Sequence, residues 1–547
     1  MSTPDPLETV PTPTEDESTS VDAVVVGAGF AGLYALHRLR EQGLSVRVVE
    51  AGSDVGGTWY WNRYPGARCD IESVFYSYSF DADLAREWEW SERYAAQPEI
   101  LAYLQHVADR FDLRRDITLD TRVVSAHLDE PAGRWTVTTD AGERLSATYL
   151  VLGVGLLSST NLPQIEGREE FAGRTFHTGA WPHEPVDFSG RRVGVIGTGS
   201  SGIQLIPLVA DQADHLTVFQ RTPNFSLPAK NGAPDPDKVA RLREDHPRVK
   251  EELRTSSYGI LLEPPTQSAL EVPEEEREAK YRERWEEGTL TGILQAYNDL
   301  VRNEESNHTA AEFVRRRIAE IVRDPQVAED LTPRGYAYGT KRPCLDTGYY
   351  ATFNREDVTL VNLRRTPIEL ITRTGVVVDG VEHELDDLVY ATGYDAMTGP
   401  LLAIDIRGRD GRSLREAWSD GPHSYLGIAV SGFPNMFTLT GPGSPSALSN
   451  AVVSIEQHVE WVADLIAHLR AQGTPMVEAE DRAEKEWTEH VQLAGNATLY
   501  PRTDSWYMGA NVPGKPRVFL PYIGGVGNYR AHCERVAQEG YPGFVIG

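Results

Sequence analysis

Two segments of the chain share one pattern of a strand, a glycine-rich turn, a helix and a second strand. The first spans residues 22–51 and the second spans residues 191–223. In both, a valine-rich apolar run leads directly into GxGxxG, and a β-branched run follows the helical stretch. This arrangement is typical of units that bind a dinucleotide. The repeat therefore predicts an α/β protein with two Rossmann-like dinucleotide-binding domains.

The first glycine turn contains Gly27, Gly29 and Gly32. The first glycine permits the tight turn, the second lets the backbone approach a diphosphate, and the third allows close packing of helix on strand. Glu50 follows 23 residues after Gly27, at the end of the second strand, where a carboxylate accepts hydrogen bonds from ribose hydroxyls. This combination favours a bound nucleotide over the alternative of a glycine turn that only packs.

The second glycine turn has the same spacing, at Gly197, Gly199 and Gly202. The position equivalent to Glu50 is Gln220, and Arg221 and Thr222 follow it. A carboxylate there would repel a 2′-phosphate, whereas a guanidinium binds one through two hydrogen bonds. The second unit therefore predicts NADP, unless Arg221 is only a surface arginine at a strand end. Together the two units suggest a tightly bound FAD and an exchanging NADPH.

Charge and cysteine content narrow the function classes. The 547 residues include 53 Lys and Arg against 81 Asp and Glu, a formal charge of −28, so nucleic acid is not expected as a partner. The three cysteines form no CxxC, which excludes a disulfide reductase and favours the cytoplasm. No metal site is expected. The apolar run at 23–36 is too short to span a membrane, so no membrane contact is expected either.

Composition shifts along the chain predict its organisation. We expect a disordered tail over 1–20, an FAD-binding domain over 21–155 and 385–547, and an NADP-binding domain over 156–230 and 333–384. Residues 231–332 are rich in Glu, Arg and Lys and predict a helical insertion. A helix is expected over 453–469, and irregular structure over most of the remaining C-terminal residues.

One short motif distinguishes among flavoenzymes. Just ahead of the second glycine turn the chain reads FxGxxxHxxxWP, formed by Phe171, Gly173, His177, Trp181 and Pro182. With the WYWNRYPG run at 59–66 and GPGSPSALSN at 441–450, the chain resembles the Baeyer–Villiger monooxygenases, most of all the phenylacetone and steroid types. His177 is expected to be required at a domain hinge and not to transfer protons.

The resemblance implies a reaction and its substrates. The expected enzyme uses FAD, NADPH and O₂ to insert one oxygen beside the carbonyl of an aryl or bulky cyclic ketone, giving an ester or lactone. The expected route passes through a C4a-peroxyflavin and a tetrahedral adduct, with sulfoxidation as a side activity. The partner is then a small-molecule ketone, and the protein is expected to be a monomer or a weak homo-oligomer.

The resemblance also implies the site residues. Arg342 would be the catalytic cation and Asp70 its carboxylate partner, although an ordinary ion pair is the alternative. For FAD it adds Gly56, Gly57, Thr58, Trp59, Asp70, Tyr76 and Val123. For NADP it adds Arg68, Cys69, Thr198, Ser200, Ser201, Ile203, Gln204, Lys341, Arg342 and Trp506. The substrate pocket would be bounded by Ser446, Ala447 and Leu448.

Two other readings of the residues stay open. An N- or S-oxygenating flavin monooxygenase would share the cofactors and would give no ester from a ketone. A nucleotide-binding or electron-transfer protein that has lost catalysis would share the two glycine turns, but the intact Asp70 and Arg342 argue against it.

Overall fold

The computed structural model describes residues 19–547. Its strands are β1 (Thr19–Val26), β2 (Val46–Val49), β3 (Ile117–Thr118), β4 (Val123–Asp129), β5 (Arg134–Thr139), β6 (Arg144–Leu152), β7 (Arg174–His177), β8 (Arg192–Ile196), β9 (His215–Gln220), β10 (Ser226–Pro228), β11 (Cys344–Asp346), β12 (Val358–Asn362), β13 (Ile368–Ile371), β14 (Gly375–Val378), β15 (Val381–Glu384), β16 (Asp387–Tyr390), β17 (Asp405–Arg407), β18 (Met436–Thr438), β19 (Val477–Ala479) and β20 (Phe544–Ile546).

The helices surround and connect these strands. They are α1 (Phe30–Glu41), α2 (Thr58–Trp61), α3 (Ala82–Glu87), α4 (Gln97–Arg110), α5 (Ser200–Ala210), α6 (Pro236–Glu244), α7 (His246–Thr255), α8 (Glu274–Glu287), α9 (Glu304–Ile321), α10 (Pro325–Leu331), α11 (Tyr349–Thr352), α12 (Gly399–Leu402), α13 (Leu414–Ala417), α14 (Ala451–Gln472), α15 (Asp481–Asn496) and α16 (Val526–Gln538).

The larger sheet has eight strands and contains the first glycine turn. Its order is β17-β4-β5-β6-β1-β2-β3, and β18 also pairs with β6. The central strand β1 runs parallel to β2 and β6. Val24 and Val25 are fully buried, as expected for a parallel strand that is covered on both faces.

The second sheet is fully parallel, in the order β12-β9-β8-β16-β7. In both sheets the glycine turn follows the same point of the strand pairing. Val26 pairs with Val49 just before the first turn, and Ile196 pairs with Phe219 just before the second. Gln220 therefore stands where Glu50 stands in the first unit, as the spacing predicts. The doubly wound α/β class with two nucleotide-binding units is confirmed.

Some predicted boundaries differ from the structure. The tail expected over 1–20 falls outside the described residues except at Thr19 and Ser20, which open β1. Strand β16 pairs with β7 and β8, so it belongs to the second sheet although the boundary expected at 385 assigned it to the first. The C-terminal part is less irregular than expected: α15 forms because its buried residues recur at helical spacing, as at Trp487 and Val491.

Helices α6 to α10 fill the region in which a helical insertion was expected. Across the described residues 19–547, no helix combines the length and the apolar character that crossing a membrane would require.

A buried charge cluster fastens this insertion to the rest of the molecule. Arg254 of α7 lies 2.5 Å from Glu460 and 3.6 Å from Glu456, both on α14. Ser79 donates its backbone N–H at 2.6 Å and its hydroxyl to Glu456, and Tyr34 of α1 donates to Glu460 at 3.0 Å. The Glu456 side chain is 1% exposed, and burial raises its pKa. The two carboxylates of the cluster therefore depend on Arg254 for a compensating positive charge.

We expect Arg254→Gln to lower the free energy of unfolding by about 3 kcal/mol, because it leaves the buried Glu456 without its nearest cation. Urea unfolding of the FAD-loaded protein measures this change. Arg482→Gln is the matched control, since the Arg482 side chain is 84% exposed and pairs with Glu486 on the surface of α15, where a pair contributes about 0.5 kcal/mol. Equal losses in both variants would contradict the stabilising role of the cluster.

Candidate active site

The first glycine turn is closed by a second glycine-rich segment. A Cβ added to Gly57 would lie 2.7 Å from the Cα of Gly29, so neither residue tolerates a side chain pointing at the other. The Gly56 N–H donates to the Ala28 carbonyl at 3.0 Å. At Gly32 a Cβ would meet the Gly27 carbonyl oxygen at 1.7 Å, which shows the close helix–strand packing expected of the third glycine. The backbone here fits the diphosphate of FAD.

Glu50 lies at the end of β2 beside this turn. Its carboxylate accepts the N–H of Ala28 and the N–H of Gly52, both at 2.7 Å. Burial raises the pKa of Glu50, and these two N–H donors oppose the rise. The carboxylate is thereby oriented by the backbone of the glycine turn, and its remaining lone pairs are available to ribose hydroxyls.

The other residues expected around FAD occupy three places. Thr58 and Trp59 begin α2 directly after the paired glycines. The ring of Tyr76 packs edge-on against Trp59, with centroids 5.8 Å apart, and against Phe30 at the start of α1, 5.3 Å apart. Val123 is buried at the start of β4, on the other side of β6 from β1. Trp59 and Tyr76 are therefore near the first turn, whereas Val123 approaches it from another strand.

The second glycine turn is open to solvent at Gly199, whereas the equivalent Gly29 of the first turn is covered by Gly57. A Cβ at Gly199 would have no neighbouring atom within 4 Å, whereas at Gly202 it would meet the Gly197 carbonyl oxygen at 2.3 Å. Ser200, the first residue of α5, is exposed. The Thr198 hydroxyl donates to the Thr222 carbonyl at 3.2 Å, joining the turn to the end of β9. This backbone is accessible to a diphosphate at a helix N-terminus.

Ile203 and Gln204, expected among the NADP residues, turn their side chains away from the open turn. Ile203 is fully buried in the core of the second unit. Gln204 accepts from the Tyr64 hydroxyl at 2.8 Å and donates to the Arg68 carbonyl at 3.1 Å. A Cβ at Gly66 would lie 2.4 Å from the Gln204 carbonyl oxygen. Gln204 therefore docks the 64–70 segment onto the second nucleotide-binding unit.

Arg221 and Lys341 are the two cations predicted to bind one phosphate, and the charge of Arg221 acts on Lys341. Burial lowers the pKa of Lys341, and the nearby charge of Arg221 lowers it further. The Lys341 ammonium donates to the Asp504 carbonyl and lies 5.4 Å from the centre of the Tyr336 ring. Two cations that repel each other fit a doubly charged anion such as a 2′-phosphate.

Asp70 and Arg342, 272 positions apart, form an ion pair with two hydrogen bonds between the two units. Arg342 Nε donates to Asp70 Oδ2 at 2.9 Å, and Nη2 donates to Oδ1 at 3.0 Å. Nη1 donates to the Ala447 carbonyl at 3.3 Å. Burial opposes the charge of Arg342, but Asp70 and Tyr507 outweigh it, so the pKa of Arg342 is raised above its ordinary value. The guanidinium is a fixed cation.

Arg68 and Cys69, also expected at the NADP site, have other partners. Arg68 Nη1 lies 2.5 Å from Glu92 and donates to the Tyr94 carbonyl at 2.8 Å. The buried Cys69 thiol donates to the Ile71 carbonyl at 3.1 Å. Both side chains hold the 64–70 segment in place through these contacts.

The expected substrate loop lies in an apolar cluster next to Arg342. Ser446–Leu448 forms one helical turn, in which Ser446 and Ala447 are buried. The surrounding side chains come from several segments of the chain and include Leu156, Leu157, Met397, Tyr500, Trp506, Tyr507 and Phe519. The half-buried Trp506 packs on Tyr507 at a ring distance of 4.2 Å. The Arg342 cation thus lies beside an apolar surface formed by this cluster.

Of these neighbours, only Trp506 was predicted from the sequence. Tyr507 could have been found, because it directly follows Trp506 within the SWYMGAN segment at 505–511. Leu156, Leu157 and Met397 lie outside any motif.

The FxGxxxHxxxWP residues line one edge of the second sheet. His177 ends β7, its Nδ1 accepts the Gly179 N–H at 3.0 Å, and its Nε2 lies 3.5 Å from the Thr392 hydroxyl. Burial lowers the pKa of His177, which disfavours the charged form of the ring. A Cβ at Gly173 would meet the Asp386 carbonyl oxygen at 2.3 Å, and Trp181 stacks on Phe176 at 5.2 Å. Phe171 and Pro182 flank these contacts along the chain.

One family model matches residues 24–256, that of the pyridine nucleotide-disulphide oxidoreductases. The matched range includes both glycine turns. The three cysteines are unpaired and buried at Cys69, Cys344 and Cys533. The match therefore concerns the nucleotide-binding fold and not a redox disulfide.

Relatives with established names match nearly the whole chain. A Baeyer–Villiger monooxygenase of Pseudooceanicola batsensis is 44% identical over 97% of both chains. A phenazine N-monooxygenase of Lysobacter antibioticus is also 44% identical, over 97% of this chain and 98% of its own.

Solved structures agree with these relatives. An oxidized steroid monooxygenase bound to NADP has a TM-score of 0.92 and 53% identity, covering 96% of this chain and 99% of that one. A complex of OTEMO with FAD and NADP has a TM-score of 0.93 and 40% identity, covering 97% of this chain and all of that one.

We expect Gly57→Ala to reduce FAD retention at least about tenfold, because the new Cβ would press against the backbone of Gly29 in the diphosphate turn. The fraction of chains that keep FAD through dialysis measures this. Gly43→Ala is the matched control: Gly43 also has a positive φ, of 75°, but a Cβ there meets nothing within 4 Å. If Gly57→Ala retained as much FAD as Gly43→Ala, the proposed FAD site would be wrong.

Proposed function

The chain belongs to the Baeyer–Villiger monooxygenases, enzymes that use FAD, NADPH and O₂, and from this premise we propose that its substrates are aryl or bulky cyclic ketones. The product would be an ester or lactone with one oxygen inserted beside the former carbonyl. The observation that carries the proposal is the fixed Arg342 cation at the edge of the apolar cluster around Ser446–Leu448.

FAD and NADPH supply the redox chemistry, and the residues of the chain hold these cofactors and the ketone. The backbone around Gly29 and Gly57 would hold the FAD diphosphate, with Glu50 on its ribose. Arg221 and Lys341 would hold the 2′-phosphate, so that NADPH is preferred over NADH. The proximity of the two cations supports this assignment.

Arg342 would act on the ketone. As oxygen is inserted, negative charge develops on the carbonyl oxygen, and a preorganised guanidinium stabilises that charge more strongly in a site that excludes water. Asp70 fixes the direction of the guanidinium through two hydrogen bonds. Of the three N–H groups that Asp70 does not use, one donates to the Ala447 carbonyl. Trp506 would cover the site and exclude water.

The apolar cluster sets the substrate class. Leu448, Leu156 and Met397 add to a wall of aliphatic and aromatic side chains, which suits the burial of a ring better than of a charged or strongly polar molecule. The 53% identity to a steroid monooxygenase is consistent with a bulky substrate.

Heteroatom oxygenation is the second candidate activity. The relative named phenazine N-monooxygenase matches this chain as extensively as the Baeyer–Villiger relative does, so overall similarity does not separate the two reactions. Sulfoxidation of thioethers would use the same cofactors. A ketone that yields an ester would assign the main activity; N-oxide or sulfoxide alone would favour this alternative.

We expect Arg342→Ala to lower ester formation from an aryl acetone at least about a hundredfold, while NADPH still reduces the flavin. Product is measured by mass spectrometry and flavin reduction by anaerobic stopped-flow absorbance. Arg334→Ala is the control, because Arg334 pairs with Glu329 on the surface and its loss should change neither rate. Ester formation by Arg342→Ala near the wild-type rate would remove Arg342 from its role.

We expect Arg221→Gln to raise the KM for NADPH about tenfold and to leave the KM for NADH almost unchanged, because only NADPH carries the 2′-phosphate. Steady-state kinetics with each nucleotide measures the two values. NADH is the internal control in this experiment. Equal increases for both nucleotides would mean that Arg221 does not recognise the phosphate.

A further inference from the structure

The carboxyl ends of strands β9 and β12 lie side by side, at the end of the second sheet that carries its glycine turn. The two strands run parallel, Asn362 pairs with Gln220, and the Leu363 N–H donates to the Gln220 carbonyl at 2.8 Å. Arg221 directly follows Gln220, and Arg364 directly follows Leu363 in a tight turn. In open α/β sheets, ligands bind beyond the carboxyl ends of the strands. The turn with Arg364 therefore lies where Arg221 is expected to meet a nucleotide.

The two arginines of this turn have different surroundings. Arg365 pairs with Asp330 at 2.5 Å, and the same carboxylate oxygen accepts the Asn362 side-chain N–H at 3.0 Å. The Arg364 backbone N–H donates to Asn362 Oδ1 at 2.9 Å, which shapes the turn. The exposed Arg364 side chain forms no ion pair within the described part of the chain, and neither does that of Arg221. Adjacent strand ends thus present two guanidinium groups without a carboxylate partner.

Tyr336 brings Lys341 to the same end of the sheet. The Tyr336 hydroxyl donates at 2.8 Å to the carbonyl of Pro223, two residues after Arg221, and the Lys341 ammonium lies 5.4 Å from the centre of the Tyr336 ring. Burial raises the pKa of Tyr336, and the charge of Arg364 is among those that oppose the rise. Three cations from three segments of the chain therefore meet at this end of the sheet.

We propose that Arg364 is a third ligand of the NADPH 2′-phosphate, beside Arg221 and Lys341, and that it increases the preference of this enzyme for NADPH over NADH. A phosphate monoester carries up to two negative charges and three acceptor oxygens, so it accommodates a second guanidinium. This inference rests on the proposed function, in which Arg221 and Lys341 hold that phosphate. Arg365 takes no part, because Asp330 already neutralises it.

Arg364→Gln tests the proposal through direct binding of nucleotides to the FAD-loaded enzyme. The two probes are NADP⁺ and NAD⁺, which differ only in the 2′-phosphate, and isothermal titration calorimetry measures the Kd of each. We expect the Kd for NADP⁺ to rise about fivefold and the Kd for NAD⁺ to change less than about twofold. Added salt should weaken NADP⁺ binding less steeply in the variant than in the wild type, because one fewer cation meets the phosphate.

Arg373→Gln is the matched control, since it removes the same charge from the second unit. Arg373 is also exposed and forms no ion pair among the residues that the structure describes. Its carbonyl accepts the Ala172 N–H at 2.9 Å, two residues before β7 begins, so it lies at the opposite end of the parallel sheet. Both Kd values should stay at their wild-type values in this variant. An equal rise of the NADP⁺ Kd in Arg364→Gln and Arg373→Gln would overturn the proposal, and so would equal losses on NADP⁺ and NAD⁺ in Arg364→Gln.

Arg221→Gln, measured in the same way, separates a failure of this proposal from a failure of the proposed function. If Arg221→Gln weakened NADP⁺ binding and Arg364→Gln did not, the proposed NADP site would stand and the role of Arg364 would be refuted. If the wild-type enzyme bound NADP⁺ no more tightly than NAD⁺, the proposed NADP site would fail, and the role of Arg364 with it. Neither result depends on whether a ketone is oxygenated.

Discussion

The ion pair between Asp70 and Arg342 is the interaction on which the arrangement of the site depends. It joins residues 272 positions apart through two hydrogen bonds, so it forms only when the two nucleotide-binding units are docked. That docking is provided by Gln204, which bonds to both Tyr64 and the Arg68 backbone. A half-buried guanidinium that lost its carboxylate would be destabilised. The pair therefore supplies both the charge and part of its orientation, and the Ala447 carbonyl accepts a further N–H of the guanidinium.

The electrostatic potential at each cofactor site is set by nearby charged groups and not by the net charge of the chain. The chain carries a formal charge of −28, yet it belongs to a family whose members bind two anionic dinucleotides. Screening over about 8 Å at physiological ionic strength confines the field of distant carboxylates, so a few close groups decide binding. In the proposed function, these groups at the second glycine turn would be Arg221, Lys341 and the exposed N-terminus of α5. At the first, backbone N–H groups hold the Glu50 carboxylate in position.

Much of the fold could be predicted from the sequence, because glycine spacing indicates tight turns and β-branched runs indicate strands. The equivalence of Glu50 and Gln220 follows from counting residues and agrees with the strand register. Contacts made by folding were harder to predict. The sequence does not reveal that Arg68 pairs with Glu92, or that Arg342 donates to the Ala447 carbonyl. Helix α15 was missed because its apolar residues are few and widely spaced among charges. Side chains that pair across a long stretch of chain leave no repeating pattern in a single sequence, so their contacts cannot be predicted from it.

The most direct test of the proposed function is product analysis under labelled oxygen. The FAD-loaded enzyme would be given NADPH, ¹⁸O₂ and a panel of ketones from aryl acetones through cyclohexanone to steroids, with each product identified by mass spectrometry. We predict an ester or lactone with one ¹⁸O atom, formed fastest from aryl or bulky cyclic ketones. NADPH consumption without ester from any ketone, or oxygen transfer only to nitrogen or sulfur, would contradict the proposed function.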